Sequence, residues 1–189
     1  MSAPEGIFIP WPRSTGNMGA MAVTTQEKLW NSAPPGLRRT LSRFRIDLRP
    51  EHRQPSMVLV ALATVASIAG SLAADAILVA IGTAVFPTTK GYSHFQFADY
   101  SKLTIIGVVI ACVAWPIVTR ISSAPRWLFF RLAILVTAVL LLPDLWILAK
   151  GQPVRAVIVL MVMHLAIALV TYNLLVHVAA VRRTRRRPA

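Results

Sequence analysis

The sequence predicts an all-α membrane protein with four transmembrane helices, both termini in the cytoplasm, and a basic amphipathic interfacial helix before the first span. Hydrophobic residues make up 56% of the 189 residues, and the mean hydropathy of +0.61 is too high for an ordinary soluble domain. Four apolar stretches are each long enough, at a rise of ~1.5 Å per residue, to cross a hydrocarbon core of about 30 Å.

The clearest span covers residues 127–149, which are almost wholly apolar. Trp127 and Trp146 lie near its two ends, where amphipathic rings favour the headgroup level of a bilayer. Short polar or proline-containing turns separate the spans, so neighbours in sequence are expected to be antiparallel. The bundle is predicted over residues 55–181, with spans at about 57–86, 103–121, 127–149 and 154–181.

The distribution of charge predicts the orientation. With four spans, sixteen of the 20 lysines and arginines fall on the side of the termini, and the positive-inside rule places that side in the cytoplasm. The chain is therefore expected in the plasma (inner) membrane. A net charge of +13 would suggest nucleic acid in a soluble protein. Here the basic residues flank apolar spans, so anionic lipid of the inner leaflet is the expected partner and nucleic acid is not.

The segments outside the bundle are expected to be cytoplasmic. Residues 1–35 are rich in proline and glycine and predict a flexible tail, and residues 182–189 form a basic tail. Residues 36–54 are assigned to the amphipathic helix, because apolar residues from Leu37 to Leu48 recur at helical spacing on one face. A solvated basic linker is the alternative. The residues predicted to contact anionic lipid are Arg38, Arg39, Arg43, Arg45 and Arg49.

Small residues predict where the helices pack against one another. Ala66, Gly70 and Ala74 recur every four residues in the first span, and Gly107 and Ala111 do so in the second. Small side chains at this spacing let another helix approach closely, which favours association in lipid.

Ionisable residues inside the apolar spans form a predicted intramembrane polar cluster. Asp75 lies ~27 Å along the first span and Asp144 ~26 Å along the third, so both approach the outer leaflet. Because buried charges persist by pairing, one of these aspartates is expected to pair with Arg155 or Lys150. His164 lies near mid-depth in the fourth span.

Two interpretations of this cluster stay open. In the functional one, Asp75, Asp144 and His164 line a proton or substrate path. In the structural one, they fix the order of the helices or contact a partner subunit. The structural interpretation is favoured, since carboxylates near the interface hydrate at low cost.

The chain contains no catalytic constellation. It lacks a nucleophile elbow, a phosphate-binding glycine loop, an HExxH pair and a CxxC motif. His94 and Asp99 have no companions at metal-ligand spacing, and the single cysteine, Cys112, is interpreted as a small packing residue. We therefore expect no enzyme activity, no cofactor and no metal.

Three motifs carry a resemblance that covers residues 55–181. Ala74-Asp75-Ala76, the Leu141–Asp144 break and Met163-His164 resemble a family of small four-helix integral membrane proteins of actinobacteria. The resemblance implies an architecture and no catalytic residues. The chain also looks like the LucB-type accessory four-helix subunits found with mycobacterial Mce lipid-import complexes. That likeness implies a regulator or stabiliser bound to the permease of an ATP-driven lipid importer.

The predicted function is a non-enzymatic integral membrane accessory subunit that stabilises or regulates a larger cell-envelope transport complex. Its expected partners are anionic lipids and other integral membrane subunits, including a lipid-import permease. The alternative is a small proton-coupled or lipid-binding transporter that acts as a homo-oligomer.

Overall fold

The computed structural model describes residue 28, residues 30–46 and residues 52–183. The elements in chain order are helix α1 (Pro35–Arg43), strand β1 (His52–Arg53), helices α2 (Met57–Val85), α3 (Phe97–Ile121), α4 (Pro125–Ala149) and α5 (Val154–Val178), and strand β2 (Arg182–Arg183). Two 3-10 turns, Pro87–Thr89 and Ser93–Phe95, lie between α2 and α3.

Helices α2 to α5 are the four predicted spans, and each is long and apolar enough to cross a membrane. The all-α, four-span architecture is thus confirmed. Three of the four helices begin where local chemistry favours it: the Ser56 side chain accepts a hydrogen bond from the Leu59 N–H, Pro125 occupies the first turn of α4, and Pro153 precedes α5.

Helix α3 begins six residues earlier than predicted, at Phe97. Its first turns are aromatic and polar, so hydropathy alone assigned them to the loop. Asp99 lies in the first turn, where the partial positive charge of a helix N-terminus stabilises a carboxylate.

Helix α1 is shorter than the predicted interfacial helix. It ends at Arg43, Arg45 adopts a left-handed conformation (φ 54°), and Ile46 pairs with Ser122 in an isolated bridge. After the helix, the backbone of Arg45 and Ile46 bonds to Ser122 in the turn between α3 and α4. Residues 47–51, including Arg49, and most of the predicted tail lie outside the described residues.

The spans are arranged around α5, which contacts each of the other three. Its most extensive contact is with α2, and α2 and α4 contact each other least. Two glycines of α2 permit this close approach: a Cβ atom at Gly82 would lie 2.8 Å from Val159 Cγ2, and one at Gly70 would lie 3.0 Å from Val170 Cγ1.

The face that α2 buries differs from the predicted small-residue stripe. Ala66 is exposed, and Gly70 and Ala74 are only half-buried. Gly107 of α3 is exposed as well, whereas Ala111 packs against the core. Small apolar residues tolerate lipid, but hydroxyl and carboxyl groups need partners that lipid tails lack, so the polar face turns inward. The residues that α2 buries are Val60, Ala63, Ser67, Ser71, Asp75 and Gly82.

The two terminal segments meet at one end of the bundle. Strands β1 and β2 form a two-residue antiparallel ladder. Thr119 Oγ1 donates a hydrogen bond to Gln54 Oε1 at 2.8 Å, and Gln54 Nε2 donates to Thr119 O at 3.1 Å. Ser122 Oγ donates to Arg45 O at 2.8 Å. The segments before α2 and after α5 therefore lie on the same side as the α3–α4 turn, which we call the terminal end. The opposite end, with the two 3-10 turns, is the loop end.

Two apolar cores fill the bundle, one toward each end. The core at the terminal end surrounds Trp115, which is fully buried, contacts Phe129 edge-to-face and donates from Nε1 to Ala179 O at 2.9 Å. It also contains Cys112, as predicted. The core at the loop end consists of Phe95, Tyr100, Ala156, Val159, Leu160 and Met163.

Candidate functional site

A layer of polar side chains lies in the middle of the bundle, where the two apolar cores adjoin. Each of the four spans contributes to it, and on α2 and α5 its members overlap in sequence with residues that pack against one core or the other. This polar layer consists of Ser67, Ser71, Asp75, Thr104, Thr137, Asp144, His164 and Thr171.

Asp75 is the most enclosed charged residue of the layer, with no exposed surface. Ser67, Ser71 and Asp75 follow one another at four-residue intervals, which places them on one face of α2. Thr104 of α3 donates from Oγ1 to Asp75 Oδ2 at 2.7 Å. Asp75 Oδ1 has no hydrogen-bond partner among the described residues.

Asp144 of α4 faces His164 of α5. Asp144 is 4% exposed, and its Oδ2 lies 3.1 Å from His164 Nδ1. The same nitrogen lies 3.0 Å from Leu160 O, one helical turn earlier. The bond to Leu160 O requires a proton on Nδ1, whereas the bond to Asp144 requires a proton either on Nδ1 or on the carboxyl group. When that N–H is directed at Leu160 O, Asp144 Oδ2 is left without a hydrogen-bond partner in the described part of the chain.

The predicted ion pair with a basic residue does not form, and Arg155 does not belong to the cluster. The Arg155 guanidinium lies 5.5 Å from the centroid of the Phe86 ring, and Lys150 Nζ lies 5.5 Å from that of Trp146. Long basic side chains near helix ends extend toward the interface, whereas the short aspartates remain inside. Of the four predicted residues, the structure brings together Asp75, Asp144 and His164.

At the loop end, Tyr92 lies near Asp144 and packs against neighbouring rings. Tyr92 contacts His94 and Phe95 edge-to-face, with ring centroids 5.3 and 5.2 Å apart. Burial, and then the negative charge of Asp144, raise the pKa of Tyr92. His94 Nδ1 lies 3.8 Å from Asp99 Oδ2, and both side chains are half-exposed. The loop end therefore brings one more titratable pair near the polar layer.

The hydroxyl groups of the layer were not predicted. Thr104, Thr137 and Thr171 stand alone in apolar sequence, where a threonine is inconspicuous because it can bond to its own helix. The hydroxyl groups of Ser67, Ser71 and Thr171 have no partner within the described ranges. A search for polar residues at one face of each span would have found the layer.

The predicted lipid-binding arginines have different surroundings. Arg39 and Arg43 are exposed and line a shallow pocket of about 410 Å³ on α1. Arg38 donates from Nε to Ala33 O at 2.8 Å. The Arg45 guanidinium lies 5.5 Å from the Trp127 ring centroid, so it faces the bundle. Contact with anionic lipid stays a prediction for these residues.

Cavities and metal sites do not define a reaction centre in the described ranges. A groove of about 200 Å³ between α2 and α5 is lined by apolar residues and by none of the polar layer. In the same part of the chain, no group of three or more His, Cys, Asp or Glu side chains is placed to hold a metal ion.

Comparisons with protein-family models, with curated proteins and with solved structures found no match to this chain.

Proposed function

We propose that this protein is a non-enzymatic integral membrane accessory subunit that stabilises or regulates a larger cell-envelope transport complex. Its location in this proposal is the plasma (inner) membrane, with both termini in the cytoplasm. The observation that carries the proposal is the exposure of α4, which the rest of the chain leaves largely uncovered.

Helix α4 buries only a narrow stripe. Of its most apolar stretch, 11% is buried within the chain, compared with 22% to 33% in the other three spans. Ile134, Leu135 and Val136 are consecutive and all exposed. Because successive residues lie about 100° apart around a helix, about half of the circumference or more is free. This surface suits contact with helices of another subunit.

Helix α3 offers a second uncovered feature. Gly107 is exposed, and a Cβ atom there would meet nothing within 4 Å. Leu103, Ile106 and Ile110 around it are exposed too. A glycine among larger exposed residues leaves a hollow into which a ridge of a second helix can pack.

The charge distribution supports the proposed orientation. Both described terminal segments lie at the same end of the bundle as the α3–α4 turn. With four spans, that end holds most of the lysines and arginines, which the positive-inside rule assigns to the cytoplasm. The exposed Arg39 and Arg43 are then positioned near anionic lipid of the inner leaflet.

The complex to test first is an Mce-type lipid importer. The support for this choice is the general likeness of the chain to the four-helix accessory subunits of mycobacterial Mce complexes. The motifs at Asp75, at Leu141–Asp144 and at Met163-His164 carry only the resemblance to the actinobacterial four-helix family. In such a complex, α4 and the hollow at Gly107 would contact the permease, and the chain would carry no ATPase or substrate-binding chemistry of its own.

Purification of the natively expressed, tagged protein in mild detergent, with mass spectrometry of the copurifying proteins, tests the proposal. We expect a permease, its ATPase and lipid-binding subunits to copurify. Gly107→Leu should remove them, because it fills the hollow without a clash inside the chain. Ala69→Leu, at an exposed position of α2, is the matched control and should retain them. Recovery of both variants and the parent without other subunits would contradict the accessory role.

One observation favours the second candidate, a proton-coupled or lipid-binding transporter acting as a homo-oligomer. Asp75 and Asp144 are buried and His164 is partly buried among the four apolar helices, and ionisable groups within membrane spans often belong to proton relays. If this candidate is correct, Asp75→Asn, Asp144→Asn and His164→Gln should each abolish transport by the reconstituted protein. An accessory subunit with these substitutions should still assemble with its partners.

A further inference from the structure

We propose that Asp75, Asp144 and His164 form a buried proton-binding site that holds two protons at neutral pH. One proton makes His164 an imidazolium facing the Asp144 carboxylate, and the other is on Asp75. This site goes beyond the accessory role and would exist in either candidate function.

The charge of the polar layer favours the binding of two protons. With both carboxylates ionised and a neutral imidazole, the cluster carries two negative charges between apolar cores. Charged side chains at such positions are stable only when another charge compensates them. No lysine or arginine does so within the described residues, since Arg155 and Lys150 lie against aromatic rings. Two bound protons make the cluster electrically neutral.

The geometry around His164 favours an imidazolium at this position. A proton on Nδ1 lies between Asp144 Oδ2 at 3.1 Å and Leu160 O at 3.0 Å. Both are acceptors, so a single N–H can be shared between them. An imidazolium in this position supplies the positive charge that the nearly enclosed Asp144 lacks, because a hydrogen bond to an ionised acceptor is stronger than one to a neutral acceptor.

The two oxygens of Asp75 have unequal surroundings, which favours a proton on one of them. Oδ2 accepts the hydrogen bond from Thr104, whereas Oδ1 is fully buried and unpartnered in the described structure. A proton on Oδ1 turns that atom into a donor. Ser71 Oγ, one helical turn earlier on the same face, also has no partner and can accept, directly or through a water molecule.

The groups that face the site from each element define how protons reach it. Tyr100 of α3 lies near Asp75, and Tyr92 and His94 of the loop end lie near Asp144. Asp99, which pairs with His94, and His94 itself are half-exposed at the loop end. Exchange with solvent is therefore expected through Tyr92 and His94 at the loop end.

The chain contains four aspartates, so the protons can be observed directly. The variant Asp47→Asn/Asp99→Asn keeps only Asp75 and Asp144. We would label its aspartate side-chain carboxyl carbons with ¹³C and its histidines with ¹⁵N, place it in lipid nanodiscs, and record NMR spectra at pH 7. The proposal predicts one protonated and one ionised carboxyl group, together with a charged imidazole at His164.

The reference state is two ionised carboxylates and a neutral imidazole. Fewer than two protons bound in addition to that state would overturn the proposal. Two protonated carboxyl groups beside a neutral His164 would also overturn it. Asp144→Asn should make His164 neutral, because the imidazolium loses its counter-charge. Asp75→Asn, the matched control, should leave His164 charged. If Asp144→Asn does not fold, the spectrum of the Asp47→Asn/Asp99→Asn variant alone decides the question, since it retains all three groups.

Discussion

Helices α4 and α5 are similarly apolar spans with opposite roles in the bundle. Helix α5 contacts the other three spans and contributes to both apolar cores, whereas α4 is largely exposed. The mean hydropathy of the two helices does not distinguish their roles. The capacity to cross a membrane and the position within a bundle therefore depend on different residues.

Polar and small residues account for the difference. Where α5 meets α2, glycines permit close approach, and the buried stripe of α2 holds two serines and a carboxylate. Helix α4 buries only Thr137 and Asp144 in its apolar part beyond the first turns. Since lipid tails are as apolar as leucine, leucine and valine do not by themselves draw one helix to another. The rest of α4 is therefore free to contact lipid or another protein.

Gly82→Leu should have the largest effect, because it disrupts the interface between α2 and α5. The new side chain would overlap Val159, a stiff β-branched residue, and we expect a loss of about 3 kcal/mol in the free energy of unfolding. Denaturation in SDS–detergent mixtures measures it. Gly107→Leu, where space is open, is the control. A similar loss in both variants would show that helix propensity or length, rather than close packing, sets stability.

Trp115→Phe should have the second largest effect. The phenyl ring keeps the contact with Phe129, but Ala179 O loses its buried donor. We therefore expect the free energy of unfolding to fall by about 2 kcal/mol. Trp146→Phe makes the same change on the exposed face of α4 and should leave thermal stability unchanged. Equal effects of the two substitutions would argue against the distinction between a packed interior and a free α4.

Thr104→Val should have a smaller effect, confined to the polar layer. It removes the hydrogen bond to Asp75 Oδ2, and hydrogen bonds between membrane helices contribute about 1 kcal/mol. Thr83→Val is the control, since the Thr83 hydroxyl donates only within its own helix. Thermal unfolding in detergent compares them. No difference from the parent would show that Thr104 does not stabilise Asp75.

Leu135→Ala should have the smallest effect on stability, within about 0.5 kcal/mol, because exposed positions contribute little to folding. The same variant should copurify less of the partner complex if α4 is the contact surface. Normal copurification combined with a large loss of stability would reverse the assignment of α4.

The spans could be predicted from sequence because hydrocarbon thickness fixes how many apolar residues a helix needs. The packing face of α2 could not, since Ala66 and Ser67 fit a small-residue stripe equally well until the other helices are present. The pairing of Asp144 with His164 rather than Arg155 depends on the rotation of α4 against α5. The end of α1 depends on the contact of Ile46 with Ser122, which are 76 positions apart.

We propose above that α4 is a contact surface for another membrane subunit. Photo-crosslinking in the native membrane tests it, with a photoreactive amino acid at Leu135 of α4 and, in a second variant, at Val65, an equally exposed position of α2. We predict that position 135 crosslinks to an integral subunit of a transport complex and position 65 to lipid alone. Crosslinks to lipid alone at both positions would contradict the assignment of α4 as a contact surface for another subunit.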